Sequence, residues 1–216
     1  MIKVMFADDE ELVRSGLRTM LAGAPDMEVV AEAVDGRSAV EQARLHRPDV
    51  VLLDIKMAAD DDGLNALATL QTIAPPPYTA MLTTFDIDEY ISAALRIGAN
   101  GFLLKDVDPD VLLRALRDLA SGGAVLDPSV AARMVYAHRD EQRANQPARE
   151  VLETLSERER AVVRLIGQGL SNAEIGGELH LSEATVKGYV STVLGKIGAD
   201  NRVQAALLAY RGGMSA

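Results

Sequence analysis

Asp8 and Asp9 follow the run IKVMFA, Asp54 closes DVVLLD, and Lys105 follows GFLL. Each polar group comes directly after a short apolar run, the mark of a strand buried on both faces. In an open, doubly wound parallel sheet the carboxyl ends of the strands share one edge, and ligands bind there. Carboxylates crowded at such an edge repel one another and stay ionised together only when a cation joins them. A hard divalent ion suits oxygen ligands, and Mg2+ takes a few carboxylates together with water and phosphate oxygens. A lysine beside them supplies a second positive charge, placed to meet a phosphoryl group. The chemistry that fits is phosphorylation of an aspartate with Mg2+ as cofactor.

The elements that must bring these residues together can be read from residues 1–120. Apolar runs predict strands at 2–7, 27–33, 49–54, 78–83 and 100–104, with helices near 10–22, 37–46, 63–73, 87–97 and 109–120. Alternation of this kind predicts an α/β, doubly wound, five-stranded parallel sheet with helices on both faces. Gly36, Pro48, Gly98 and Gly101 punctuate the units, and Pro75 to Pro77 end the third helix. From Ser121 the pattern changes. Ser-Gly-Gly breaks the fifth helix, DPSVAARMVYAHRDEQRA reads as another helix, and the polar stretch near 140–153 reads as a linker. Beyond Leu155 the chain is helical, with segments near 157–168, 172–179, 183–197 and 201–211. Their starts carry capping pairs: Ser156 with Glu159, Ser171 with Glu174, and Ser182 with Thr185. The expected division is an α/β domain over 1–121, a helix and linker over 122–153, and a small all-α domain over 154–216.

The chain has no cysteine, which excludes disulfides and thiolate zinc sites. Its N-terminus lacks the pattern of a signal peptide, and no apolar run is long enough to span a bilayer, so a cytoplasmic protein without a membrane partner is expected. The net charge of −10 lies entirely in residues 1–120, where 11 Lys/Arg face 21 Asp/Glu. Residues 151–216 balance at seven against seven, and from Val186 onward Lys187, Lys196, Arg202 and Arg211 face only Asp200. A locally basic face on a neutral domain is able to bind DNA. The histidines, His46, His138 and His180, do not form a metal site.

In residues 1–120, FADDE, LLDIKM around Asp54, MLTTFD around Thr83 and GANGFLLKD at Lys105 resemble, in order and spacing, a CheY-type response-regulator receiver domain with its flavodoxin-like fold. The resemblance implies that Asp54 accepts a phosphoryl group from a sensor histidine kinase or a small donor. It implies that Asp9, Asp54 and the backbone carbonyl of Lys56 ligate Mg2+, with Asp8 acting through a bound water. Lys105 and Thr83 would meet the phosphoryl oxygens. Thr83 and Phe102 would form the switch pair, the ring turning inward on phosphorylation, while Lys56 and Phe85 would tune phosphoryl lifetime. Such a protein hydrolyses its own phosphoryl group and turns over no external substrate. The sequence departs from the family at Ala58, where proline is usual, and at Gly63, which comes one residue late after Ala59, Asp60, Asp61 and Asp62. That acidic run reads as a solvated loop; the sharper reading is a change in metal affinity or kinase docking.

LSERERAVVRLIGQGLSNAEIGGELHLSEATVKGYVSTVLGKIGADNRVQAALLAY resembles the LuxR-type helix-turn-helix, so the whole chain is similar to NarL/FixJ response regulators. Carried over by position, Lys187, Gly188 and Ser191 would face base edges of double-stranded promoter DNA. Thr185, Lys196 and Arg202 would contact phosphates. Val203, Leu207 and Tyr210 would form the contact of a homodimer made on phosphorylation, which would also release the DNA-binding domain. One alternative is a regulator that binds DNA without phosphate, its receiver serving for docking or ligand sensing. A haloacid-dehalogenase-type phosphatase fits less well, because Lys56 stands where that family needs a second acid.

Overall fold

The apolar runs at 2–7, 50–54, 78–83 and 101–104 have no polar face to show to water, so they can be satisfied only inside a sheet covered on both sides. In the computed structural model, which describes residues 1–57, 62–83, 88–126 and 150–214, this is where they lie. The strands are β1 (Ile2–Ala7), β2 (Met27–Ala33), β3 (Val50–Asp54), β4 (Tyr78–Thr83), β5 (Gly101–Leu104) and β6 (Val125–Leu126). All neighbours pair in parallel, in the order β2-β1-β3-β4-β5-β6. The sheet therefore has one strand more than the sequence pattern predicts. β6 is only two residues long, too short to show any periodicity, and pairs Val125 and Leu126 with Gly101 and Phe102 of β5.

Between the strands run α1 (Glu11–Ala22), α2 (Gly36–His46), α3 (Asp62–Leu70), α4 (Asp88–Ile97) and α5 (Pro109–Ala120). Val4, Phe6, Val50, Leu52, Ala80, Leu82 and Leu103 pack with Leu17 and Leu21 of α1 and with Leu112, Leu116 and Leu119 of α5. The alternate strand residues Met5, Val51, Leu53, Met81 and Phe102 are just as buried, as period-two alternation requires of a doubly covered sheet.

Gly63 belongs here for a steric reason. Its N–H donates to the Ile55 carbonyl at 3.2 Å. A Cβ at this position would fall on the Asp54 carbonyl oxygen and stand 2.7 Å from that of Ile55. Whatever the loop before it does, glycine must come where α3 presses against the end of β3.

The four C-terminal helices form a second unit with its own core. They are α6 (Glu157–Gly167), α7 (Asn172–Leu179), α8 (Glu183–Ile197) and α9 (Arg202–Arg211). Ser156 and Ser171 each complete a capping box, with Glu159 and Glu174, and the Ser182 hydroxyl accepts the Thr185 N–H. Val162, Val163 and Ile166 of α6 meet Ile175 of α7, Val186, Val190 and Val193 of α8, and Ala205 and Ala209 of α9. The expected helix over 127–144 lies outside the described residues. Of the expected linker, 150–153 is described and helical, and Leu152 is buried in this core. The polar composition around it hid a residue whose apolar side chain anchors the bundle.

Glu159 also takes Lys196 from the far end of α8, with Lys196 Nζ 2.8 Å from Oε1 and 3.0 Å from Oε2. The lysine, then the Ser156 backbone N–H and hydroxyl, hold the Glu159 carboxyl down to about 2 from its ordinary 4.5. A depressed carboxyl stabilises the fold above its unfolded pKa and loses that contribution as pH falls through the folded value. The full chain's melting temperature should thus fall between pH 4.5 and about 2, and Glu159→Gln should flatten that slope relative to wild type. Identical slopes would show that the pair contributes nothing. For the α/β domain, Gly63→Ala should cost about 1–3 kcal/mol by urea denaturation, since the added methyl has nowhere to go.

Candidate functional site

The carboxyl edge of the sheet gathers the residues expected there. Asp8 follows β1, Asp54 ends β3, Thr83 ends β4 and Lys105 follows β5. Asp8 and Asp54 are buried, at 0 % and 3 % exposure. Lys105 Nζ stands 2.9 Å from Asp8 Oδ2, 2.9 Å from Asp54 Oδ2 and 3.0 Å from Glu10 Oε1. One ammonium thus serves three carboxylates. Glu10 was not singled out from the sequence, although it completes the FADDE run; an exposed acid beside two others carries no signal of its own.

The electrostatics follow from burial. Desolvation raises the Asp54 carboxyl to about 6, more than the hydrogen bond and charge of Lys105 pull it down, and Asp8 adds to the rise. Burial works against the charge of Lys105 as well, but Asp54, Asp8 and Glu10 outweigh it and raise its pKa. Asp8 is held firmly: its Oδ1 accepts the Glu10 N–H at 2.9 Å, and its backbone carbonyl accepts Arg14 Nη1 at 2.7 Å. Its buried Oδ2 has Lys105 at ion-pair distance but no donor aligned for a hydrogen bond. Carboxylate oxygens of Asp8, Asp9 and Glu10 lie within 4.8 Å of one another. A dense anionic edge with an oxygen lacking a hydrogen bond fits a hard divalent cation.

Thr83 is buried, one strand over from Asp54, and its carbonyl accepts the Lys105 N–H at 3.0 Å. Phe102 lies beside Met81 and is fully buried. Its ring is enclosed in the interior of the domain. The Lys56 N–H reaches Asp54 Oδ1 at 3.4 Å, and its ammonium lies 5.5 Å from the ring centre of Tyr90 on α4. Ala58, Ala59, Asp60, Asp61 and Phe85 lie outside the described residues. Asp62 does not behave as a merely solvated acid, since its Oδ2 accepts the Gly36 N–H at the start of α2 at 2.7 Å.

In the helical unit, Thr185, Lys187, Gly188 and Ser191 share the exposed side of α8, whereas Val186, Val190 and Val193 face the core. Lys196 is half-exposed but engaged with Glu159. Arg202 corrects the sequence reading. It is 4 % exposed, its Nη1 donates to Asn172 Oδ1 at 2.8 Å, and its Nη2 bonds the Leu170 carbonyl. It fastens the turn before α7 rather than standing free for a phosphate. Val203 is likewise fully buried, so of the expected dimer stripe only half-buried Leu207 and exposed Tyr210 reach the surface. Periodicity marked the apolar stripe but not which of its residues face the core.

Comparison with known proteins matches residues 4–117 to the response regulator receiver domain and residues 153–209 to the bacterial regulatory proteins of the luxR family. The transcriptional regulatory protein LnrK of Bacillus subtilis is 36% identical, covering 100% of this chain and 99% of its own. The DNA-binding transcriptional activator DevR/DosR of Mycobacterium tuberculosis is 35% identical over 97% of this chain and 94% of its own. Among solved structures, response regulator ChrA of a heme-sensing two-component system is 36% identical, covers 99% of this chain and 98% of its own, and superposes with a TM-score of 0.54. With the receiver edge and the capped helix-turn-helix on one chain, and relatives matching it end to end, the protein belongs to the two-component response regulators that carry a LuxR-type DNA-binding domain.

Proposed function

We propose that Asp54 accepts a phosphoryl group from a sensor histidine kinase in a Mg2+-dependent reaction, and that the modified chain dimerises and binds promoter DNA through α8. The observation that carries this reading is Lys105 Nζ at 2.9 Å from both Asp54 Oδ2 and Asp8 Oδ2. An Asp54 oxygen attacks phosphorus as the phosphorus–nitrogen bond of the donor breaks, and the imidazole leaves with the bonding pair. Lys105, already in contact with Asp54, meets the phosphoryl oxygens, and the Thr83 hydroxyl is the donor on the neighbouring strand. Asp8, Asp9, Asp54 and the Lys56 carbonyl would hold Mg2+, with Glu10 alongside. When bound, the ion supplies neutralising charge for the phosphoryl oxygens. Water later releases phosphate from Asp54, without turnover of an external substrate.

On the DNA side, Lys187, Gly188 and Ser191 are the residues for base edges, with Thr185 near the phosphates and Lys196 shared between Glu159 and the backbone. Leu207 and Tyr210 are the dimer residues that remain at the surface. Action in the cytoplasm is supported by the DNA-binding domain and by the absence, among the described residues, of any helix long and apolar enough to cross a membrane.

Radiolabelled acetyl phosphate should label the full chain in the presence of Mg2+, and Asp54→Asn or chelation should abolish the label. Labelling that survives in Asp54→Asn would place the acceptor elsewhere. Against a duplex selected from a random pool, Lys187→Ala should cost about 1–3 kcal/mol of binding with an unchanged melting temperature. Arg202→Ala should do the reverse, lowering the melting temperature first, because its guanidinium is committed inside the fold.

A further inference from the structure

Asp62 touches none of the groups that would react, yet it sits at the far end of the loop that carries Lys56. That loop leaves the sheet at Ile55, whose N–H donates to the Leu82 carbonyl at 3.3 Å. It returns at Asp62 and Gly63, and both are pinned. Gly63 bonds back to the Ile55 carbonyl at 3.2 Å and leaves no room for a side chain against Asp54. Asp62 reaches the other way, its Oδ2 accepting the Gly36 N–H at 2.7 Å.

The fit at Gly36 is close on that side too: a Cβ there would stand 2.7 Å from the Asp62 carbonyl oxygen. Asp35 already caps the same helix start by accepting the Ser38 N–H. Asp62 therefore adds a second carboxylate to a terminus whose unsatisfied N–H groups and dipole favour anions. The bond costs the loop end its freedom without taking any bond from the phosphoacceptor edge. Three polar ties thus hold the end of β3 at Ile55 and the start of α3 at Asp62 and Gly63.

We infer that Asp62, through its hydrogen bond to Gly36, is a positioning residue that fixes the start of α3, so that Gly63 holds the Ile55 carbonyl and the adjoining Lys56 carbonyl and Asp54 are presented together to the metal. The inference rests on the proposed Mg2+ site. A charge effect alone would act at a distance and be screened by salt; a tether acts through the bond and needs an acceptor oxygen, not a negative charge.

The two are separable by calorimetric titration of the full chain with Mg2+, with no phosphodonor, alongside its melting temperature in metal-free buffer. Asp62→Ala should raise the Mg2+ Kd about tenfold, the scale seen when residues that orient metal ligands are removed. Gly36→Ala, which pushes the same carboxylate away by bulk, should raise it in the same direction. Asp62→Asn keeps an acceptor oxygen and should stay within about twofold of wild type, losing only the charge-assisted part of the bond. An unchanged Kd in Asp62→Ala, with only the melting temperature lowered, would overturn the inference by making Asp62 purely structural. Equal weakening in Asp62→Asn and Asp62→Ala would overturn it in favour of charge. Wild-type protein that binds no Mg2+ would overturn the metal site itself, and this inference with it.

Discussion

Two buried carboxylates, Asp8 and Asp54, share one ammonium, and much of the receiver is arranged to make that tolerable. Burying a carboxylate without compensation is costly, and a single lysine does not neutralise two. The remedy is geometric. Parallel strands deliver Asp8, Asp54, Thr83 and Lys105 to one edge because their order reverses between β1 and β3. Arg14 on the Asp8 carbonyl and Glu10 on Asp8 Oδ1 keep one acid in place. The edge is left short of positive charge, the deficit that a hard divalent cation would relieve.

The helical unit handles charge differently. Its buried or half-buried polar pairs, the ion pair of Glu159 with Lys196 and the hydrogen bond of Arg202 to Asn172, join the ends of helices. They act as clamps at the junctions where α8 and α9 meet α6 and α7. A rigid three-dimensional frame for α8 follows, in which the core-facing valines and the end clamp together set the direction of its outer face.

Much of this was legible in the residues. Strands buried on both faces leave uninterrupted apolar runs, so most strand limits agree with the structure to within a residue; the serine caps place the C-terminal helix starts equally well. What escaped was set by tertiary partners. β6 is too short to carry a pattern. Arg202 looked like any basic residue after α8, and only the folded chain brings the Leu170 carbonyl and Asn172 to it. Val203 sat on an apolar stripe whose inner and outer halves the sequence could not distinguish. Asp62 resembled its acidic neighbours until the start of α2 was placed beside it. Of the candidate site, the acids and lysine were readable because each ends a strand; Glu10, lacking that position, was not.

The outer side of α8 has a consequence for how such proteins diversify. A Cβ added at Gly188 or Gly195 would find no neighbour within 4 Å. In a helix interior, replacing glycine by a residue with a side chain removes an entropic cost of roughly 0.5–1 kcal/mol. Substitutions at these two positions are therefore open to genetic drift without any toll on folding, while the valines beneath them are not. A side chain placed at either position would stand on the solvent side of α8, so this bare surface can change while the packed scaffold stays as it is.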